Sequence, residues 1–99
     1  MLRQIITPRA VRDTRAAAQW YRDINPVLKD RMLRDLRVTI QTAAERPGSF
    51  PEVEDGVRVA KCKRFPYRVY FEVAGDALRV LAVYHMSRDP DQWDEPDRT

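Results

Sequence analysis

The sequence predicts an α+β fold of order β-α-α-β-β-β, a helical hairpin packed on one face of a small antiparallel sheet. Three observations carry this. Two stretches between residues 8 and 45 repeat apolar side chains at helical spacing; three runs rich in β-branched and aromatic residues follow Gly56; and a brief apolar segment precedes the first helix. A chain of 99 residues has room for one core, so a single domain over 1–99 is expected, with 94–99 a loose tail.

Taken in order, Leu2 to Ile6 reads as a short strand closed by Thr7-Pro8, with Thr7 as helix cap and Pro8 at the first helical position, where its missing N–H costs nothing. Val11, Ala17, Ala18, Tyr21 and Ile24 then fall near one stripe of the first helix. Asn25-Pro26 repeats the cap-and-proline start. It opens a second helix whose apolar face is Leu28, Met32, Leu33, Leu36, Ile40 and Ala43 and which ends before Arg46-Pro47-Gly48. So short a connection makes the pair antiparallel. PGSFPEVEDG, residues 47–56, has the turn chemistry of a surface loop. The runs VRVAKC, YRVYFEVA and ALRVLAVYH follow as strands, the last two joined by the hairpin signal Gly75-Asp76. In the middle run Tyr67, Val69, Phe71 and Val73 alternate with Arg68, Tyr70 and Glu72, the pattern of a strand buried on one face; Pro66 before it belongs to a corner.

Composition narrows the function. Hydrophobic residues make up 43% of the chain and recur regularly through Tyr84, which excludes the disordered class despite 33% charged residues. No apolar run approaches the ~18–20 residues of a membrane span, and MLRQIITPRA lacks a signal peptide's apolar centre, so a cytoplasmic protein with no membrane role is expected. Cys62 is the sole cysteine and His85 the sole histidine, which leaves no disulfide and no Cys/His metal set; with no Cys-His arrangement legible in the sequence and no glycine-rich phosphate loop either, neither metal nor cofactor is expected. The net charge of +3 hides an asymmetry. From Arg88 onward five acids face two bases, leaving 16 bases against 10 acids in residues 1–87, a surface suited to nucleic acid or an acidic protein partner.

The densest basic cluster is Arg58, Lys61, Lys63, Arg64 and Arg68. These are phosphate-binding candidates by charge, together with Arg88, but strand alternation sends Lys61 and Lys63 to one side and Arg58 and Arg64 to the other, and an edge strand also uses such charges against aggregation. His85, at the end of the last strand, could move a proton in RNA cleavage while an arginine holds the scissile phosphate; a strand-end histidine bonded to backbone or to an acid such as Asp89 is the plainer alternative. Trp20, Tyr21 and Trp93 could stack on bases, but core or rim packing is the better reading, with Trp20 and Tyr21 on a helix with an apolar face and Asp89 to Trp93 folding back on the body.

The element order, Trp20-Tyr21 in the first helix, Arg46-Pro47, Gly56-Val57-Arg58, Phe65-Pro66-Tyr67-Arg68-Val69-Tyr70, and Val83-Tyr84-His85 with Arg88-Asp89-Pro90 and Trp93 together resemble the RelE/ParE superfamily of bacterial type II toxins across nearly the whole chain. The resemblance implies a toxin held in a hetero-oligomer by a cognate antitoxin whose disordered C-terminal segment wraps it. It also implies one of two activities. RelE-like members cut messenger RNA on the ribosome, and here Arg68 and His85 would be the catalytic residues, although Met86 stands where several such members carry tyrosine. ParE-like members inhibit DNA gyrase without a catalytic constellation; Phe65-Pro66-Tyr67 and the His85, Arg88, Asp89 spacing look closer to that branch. Trp20, Leu28, Met32 and Leu36 are the candidates for antitoxin contact, in an apolar groove beside the hairpin, with a sheet edge open to an added strand. A plain basic nucleic-acid-binding module is the further alternative.

Overall fold

The computed structural model describes residues 1–87. Arg88, the expected docking of Asp89 to Trp93 and the expected loose tail at 94–99 therefore lie outside the described residues.

Strand β1 (Arg3–Ile6) leads into α1 (Pro8–Ile24), then α2 (Pro26–Glu45), a 3-10 turn (Pro47–Ser49), and strands β2 (Glu52–Glu54), β3 (Val57–Lys61), β4 (Tyr67–Ala74) and β5 (Ala77–His85). Both helix starts follow the caps read from sequence. Thr7 Oγ1 accepts the Ala10 N–H at 3.3 Å. Asn25 does double duty: its N–H donates to Tyr21 O at 2.8 Å to close α1, while its Oδ1 accepts the Val27 N–H at 2.9 Å to open α2. One residue thus satisfies groups at two helix ends, which is why the hairpin turns in so little chain.

The helices cover one face of a five-stranded sheet ordered β1-β5-β4-β3-β2. The sheet is mixed, not antiparallel throughout: β1 runs parallel to β5, with Arg3 opposite Ala77 and Ile6 opposite Val80. The long excursion through both helices allows that direction, since a parallel neighbour needs a crossover that a tight turn cannot supply. Residues 47–56 are also more ordered than a plain loop, because Glu52–Glu54 pairs with β3 as an edge strand. Gly75 takes φ 60° and no described non-glycine residue has positive φ, so the β4–β5 turn follows the II′ pattern, with glycine at its first central position.

The main core lies between helices and sheet and includes Ala18, Tyr21, Met32, Leu36, Ile40, Val69, Phe71, Leu78 and Val80. The sequence reading needs three corrections here, the first being Val73, placed on the buried face of β4 but 46% exposed near the hairpin turn. Ile24, placed on the α1 stripe, is 57% exposed because it falls at the hairpin turn. Tyr70, read on a solvated strand face, is 1% exposed in a second cluster with Val57, Val59, Leu81, Ala82 and Tyr84 on the opposite side of the sheet. That cluster depends on a register shift. Tyr70 pairs with Ala82 but Phe71 pairs with Val80, so Leu81 is an extra residue, a β-bulge that changes which face the rest of β5 presents. Beyond the bulge β1 no longer covers the β5 edge, and the start of α1 takes over: Thr7 Oγ1 donates to Leu81 O at 3.3 Å and Asp13 Oδ2 accepts the Val83 N–H at 3.0 Å.

Two buried acids in the core set its behaviour at high pH. Burial pushes the Cys62 thiol from its ordinary 9.0 up to about 11, opposed by a hydrogen bond from Thr39 and reinforced by the Asp35 charge. Burial, with help from Tyr21, pushes Tyr67 from 10.0 up to about 12. Both groups stay protonated in the fold at a pH where the unfolded chain ionises. The stability they contribute is therefore whole below pH ~9 and is lost as pH rises, first through the Cys62 interval and then through that of Tyr67. Between pH 9 and 10 the thiol should account for less than about 1.4 kcal/mol. Denaturant midpoints measured across that unit should fall in the wild type and flatten in Cys62→Ala; an unchanged slope would refute the assignment.

Candidate functional site

The sequence-predicted residues do not gather in one place. Arg68 and Tyr84 are opposite each other in the β4–β5 ladder, as are Tyr67 and His85, so Arg68 projects from the face of Tyr70 and His85 from the face of Tyr67. Arg68 is half-buried and its Nη1 donates to Met86 O at 3.2 Å. His85 is exposed and stands edge-on to Tyr67, ring centres 5.3 Å apart. Its Nδ1 accepts the Ser87 N–H at 3.0 Å and lies 2.8 Å from Ser87 Oγ. That backbone donor assigns the neutral ring its proton on Nε2. The hydrogen-bond partner of His85 among the described residues is thus Ser87, through backbone and side chain, and Asp89 lies outside them.

Of the basic cluster, Arg58 serves the scaffold. Its Nη1 donates to Phe50 O at 2.6 Å and its Nη2 lies 3.8 Å from the Glu52 carboxylate, tying the 47–56 segment to β3. Lys61 is exposed at the end of β3. Lys63 and Arg64 are brought together, in the β3–β4 loop, beside residues the sequence reading had not singled out: they face Arg31 and Arg34 of α2 across a cleft of about 740 Å³, with Asp35 and Val38 at its wall. Only the i, i+3 spacing of Arg31 and Arg34 hinted at this, and nothing local says that the loop lies opposite them.

Asp35 holds that loop in place. It is 8% exposed, and its Oδ2 accepts the Arg64 N–H at 2.9 Å and the Phe65 N–H at 2.8 Å. Phe65 then packs edge-to-face on Tyr21, ring centres 5.3 Å apart, while the Pro66 carbonyl accepts the Met86 N–H at 2.7 Å. A carboxylate taking two backbone donors is a strong, directional anchor.

A second recess of about 320 Å³ lies beside the hairpin, between β1 and the helices. Ile6, Val11, Leu33 and Leu36 give it an apolar lining, and Arg15 and Arg37 stand at its wall. Of the four positions expected to meet a partner, Leu36 reaches this groove although only 5% exposed, Met32 at 2% exposure is core, and Leu28 packs partly against the core. Trp20 alone is open, 61% exposed, near the exposed Ile24 and Val27 at the hairpin turn.

Among the described residues no group of three His, Cys, Asp or Glu side chains could hold a metal ion, and no helix is long and apolar enough to cross a membrane. No curated protein matches this chain significantly. Among solved structures, the chromosomal ParDE TA system from P. aeruginosa is similar with a TM-score of 0.76 at 21% identity, covering 86% of this chain and 96% of that one, a likeness of fold. The family model for the ParE toxin of type II toxin-antitoxin system, parDE, matches residues 5–90, spanning both helices and all five strands but the first residues of β1, and on that match the chain belongs to the ParE toxin family.

Proposed function

We propose that this ParE-family toxin acts by inhibiting DNA gyrase and is neutralised by a cognate antitoxin. The observation that carries the choice of target is the placement of Arg68 and His85 on opposite faces of the β4–β5 ladder. Cleavage of RNA by proton transfer needs an acid, a base and a charge-stabilising group around one phosphate. Here the arginine is engaged at Met86 O, and the histidine, on the other face, is engaged through Nδ1 at the Ser87 N–H. Poisoning a partner enzyme needs only a complementary surface.

For the antitoxin, the apolar recess between β1 and the helices fits one face of an amphipathic segment, and Arg15 and Arg37 suit acidic side chains along its margin. The sheet ends in two short edge strands, β1 and β2, to which an extended segment could add. Ordering a disordered segment is costly, so its affinity must come from the buried apolar contacts.

Expression of the chain alone should stop growth, and co-expression of the neighbouring reading frame should restore it. Purified toxin should block gyrase supercoiling or trap cleaved DNA, and should leave ribosome-bound messenger RNA intact. His85→Ala should keep this activity. Codon-specific transcript cuts on ribosomes that vanish in both His85→Ala and Arg68→Ala, each shown to be folded, would replace gyrase inhibition with RelE-like RNA cleavage; for a nuclease those losses should be on the order of a hundredfold or more.

A further inference from the structure

The cleft between α2 and the β3–β4 loop has no part in the reading above, yet four basic side chains and one acid line it. Arg31, Arg34, Lys63 and Arg64 are all exposed, and none of the four enters an ion pair there. Asp35 is the only acid in the wall, and its Oδ2 is taken by two backbone N–H groups.

We propose that this cleft is a docking site for the phosphate backbone of duplex DNA, held by Arg31 and Arg34 on one bank and by Lys63 and Arg64 on the other. The banks are rigid for different reasons. The arginines stand three residues apart on a 20-residue helix, and so on one side of it. The loop is fixed by the Asp35 carboxylate and by Phe65 against Tyr21. Four cations are thus presented without the ordering cost of a flexible arm. The site is an open slot of about 740 Å³, far larger than one phosphate group, and suits a polymer running through it more than a compact anion. Arginine forks and a lysine point charge are the side chains that contact phosphate oxygens. An acidic peptide would satisfy the same charges, but its apolar residues would find only Val38 here, whereas the recess beside β1 is lined by aliphatic groups. The choice of DNA over another phosphate polymer rests on the gyrase reading, because gyrase holds duplex DNA.

The test is binding of full-length toxin to a fluorescein-labelled random-sequence 20-bp duplex, followed by anisotropy from 50 to 200 mM NaCl. Four phosphate contacts give a slope of log K against log salt of about −3.6, so affinity should fall about 150-fold over that range. Arg31→Ala/Arg34→Ala should bring the slope to about −1.8 and the fall to roughly 12-fold, and Lys63→Ala/Arg64→Ala should do the same. Arg12→Ala/Arg22→Ala, on the exposed side of α1, should leave the slope unchanged. Equal effects from the α1 pair, or no effect from either cleft pair, would overturn the proposal. So would tighter binding of an RNA duplex or of a Glu-rich 20-mer peptide in the same cleft-dependent manner. Gyrase assays on these variants separate the two readings: cleft-dependent DNA binding without gyrase inhibition upholds the cleft and sinks the target, and gyrase inhibition by a toxin that binds no DNA does the reverse.

Discussion

Asp35→Ala should lower the stability of the fold by about 2–4 kcal/mol, since the Arg64 and Phe65 N–H groups would lose a charged acceptor at a partly buried site. For a domain of this size that is a fall in Tm of roughly 10–25 °C. Asp35→Asn keeps one acceptor oxygen but not the charge, so it should lie between wild type and alanine. The damage should also be local. With the loop released, Phe65 loses its seat on Tyr21, and hydrogen exchange at residues 62–67 should rise before that of β5. A thermal shift of a degree or two in Asp35→Ala would mean that water replaces the carboxylate and that the loop does not need it.

The larger effect is expected at Phe71. It is fully buried under the helices and meets Phe50 edge-to-face, ring centres 5.8 Å apart. Truncation to alanine removes a whole ring from close-packed surroundings and should cost about 3–5 kcal/mol, a large share of the ~5–15 kcal/mol that holds a typical domain together. Phe50 lies at the head of the segment leading to β2, so the same change should loosen that edge strand. Urea unfolding with an unchanged m-value should report the loss; less than about 2 kcal/mol would show that the helices settle into the vacated space.

Much of this architecture was legible from local chemistry. Thr7-Pro8 and Asn25-Pro26 mark helix starts because a side-chain acceptor and a residue without an N–H answer the same unsatisfied donors, and Gly75 marks the hairpin because its turn needs positive φ. What escaped was non-local. Nothing in Arg3–Ile6 records that its partner strand runs the same way. In Val80-Leu81-Ala82-Val83 every residue is apolar and buried, so there is no alternation in which a bulge could be seen. The cleft escaped for a related reason: Arg31 and Lys63 lie 32 positions apart in sequence, and Asp35, whose contacts set the loop against the helix, reads locally as one more acid on a charged helix.

The bulge at Leu81 is in effect a phase shift along β5. Ahead of it, even-numbered residues such as Leu78 and Val80 face the helices; behind it, odd-numbered residues such as Val83 do. A single extra residue therefore sets the address of everything downstream. Pairing Leu81 into the ladder in place of the bulge would restore strict alternation with every residue kept, and would carry His85 across the sheet to the side of Arg68, two groups that the present strand keeps apart. Which face the end of β5 shows is thus decided by whether one residue is bulged or paired, and not by any substitution at the surface itself.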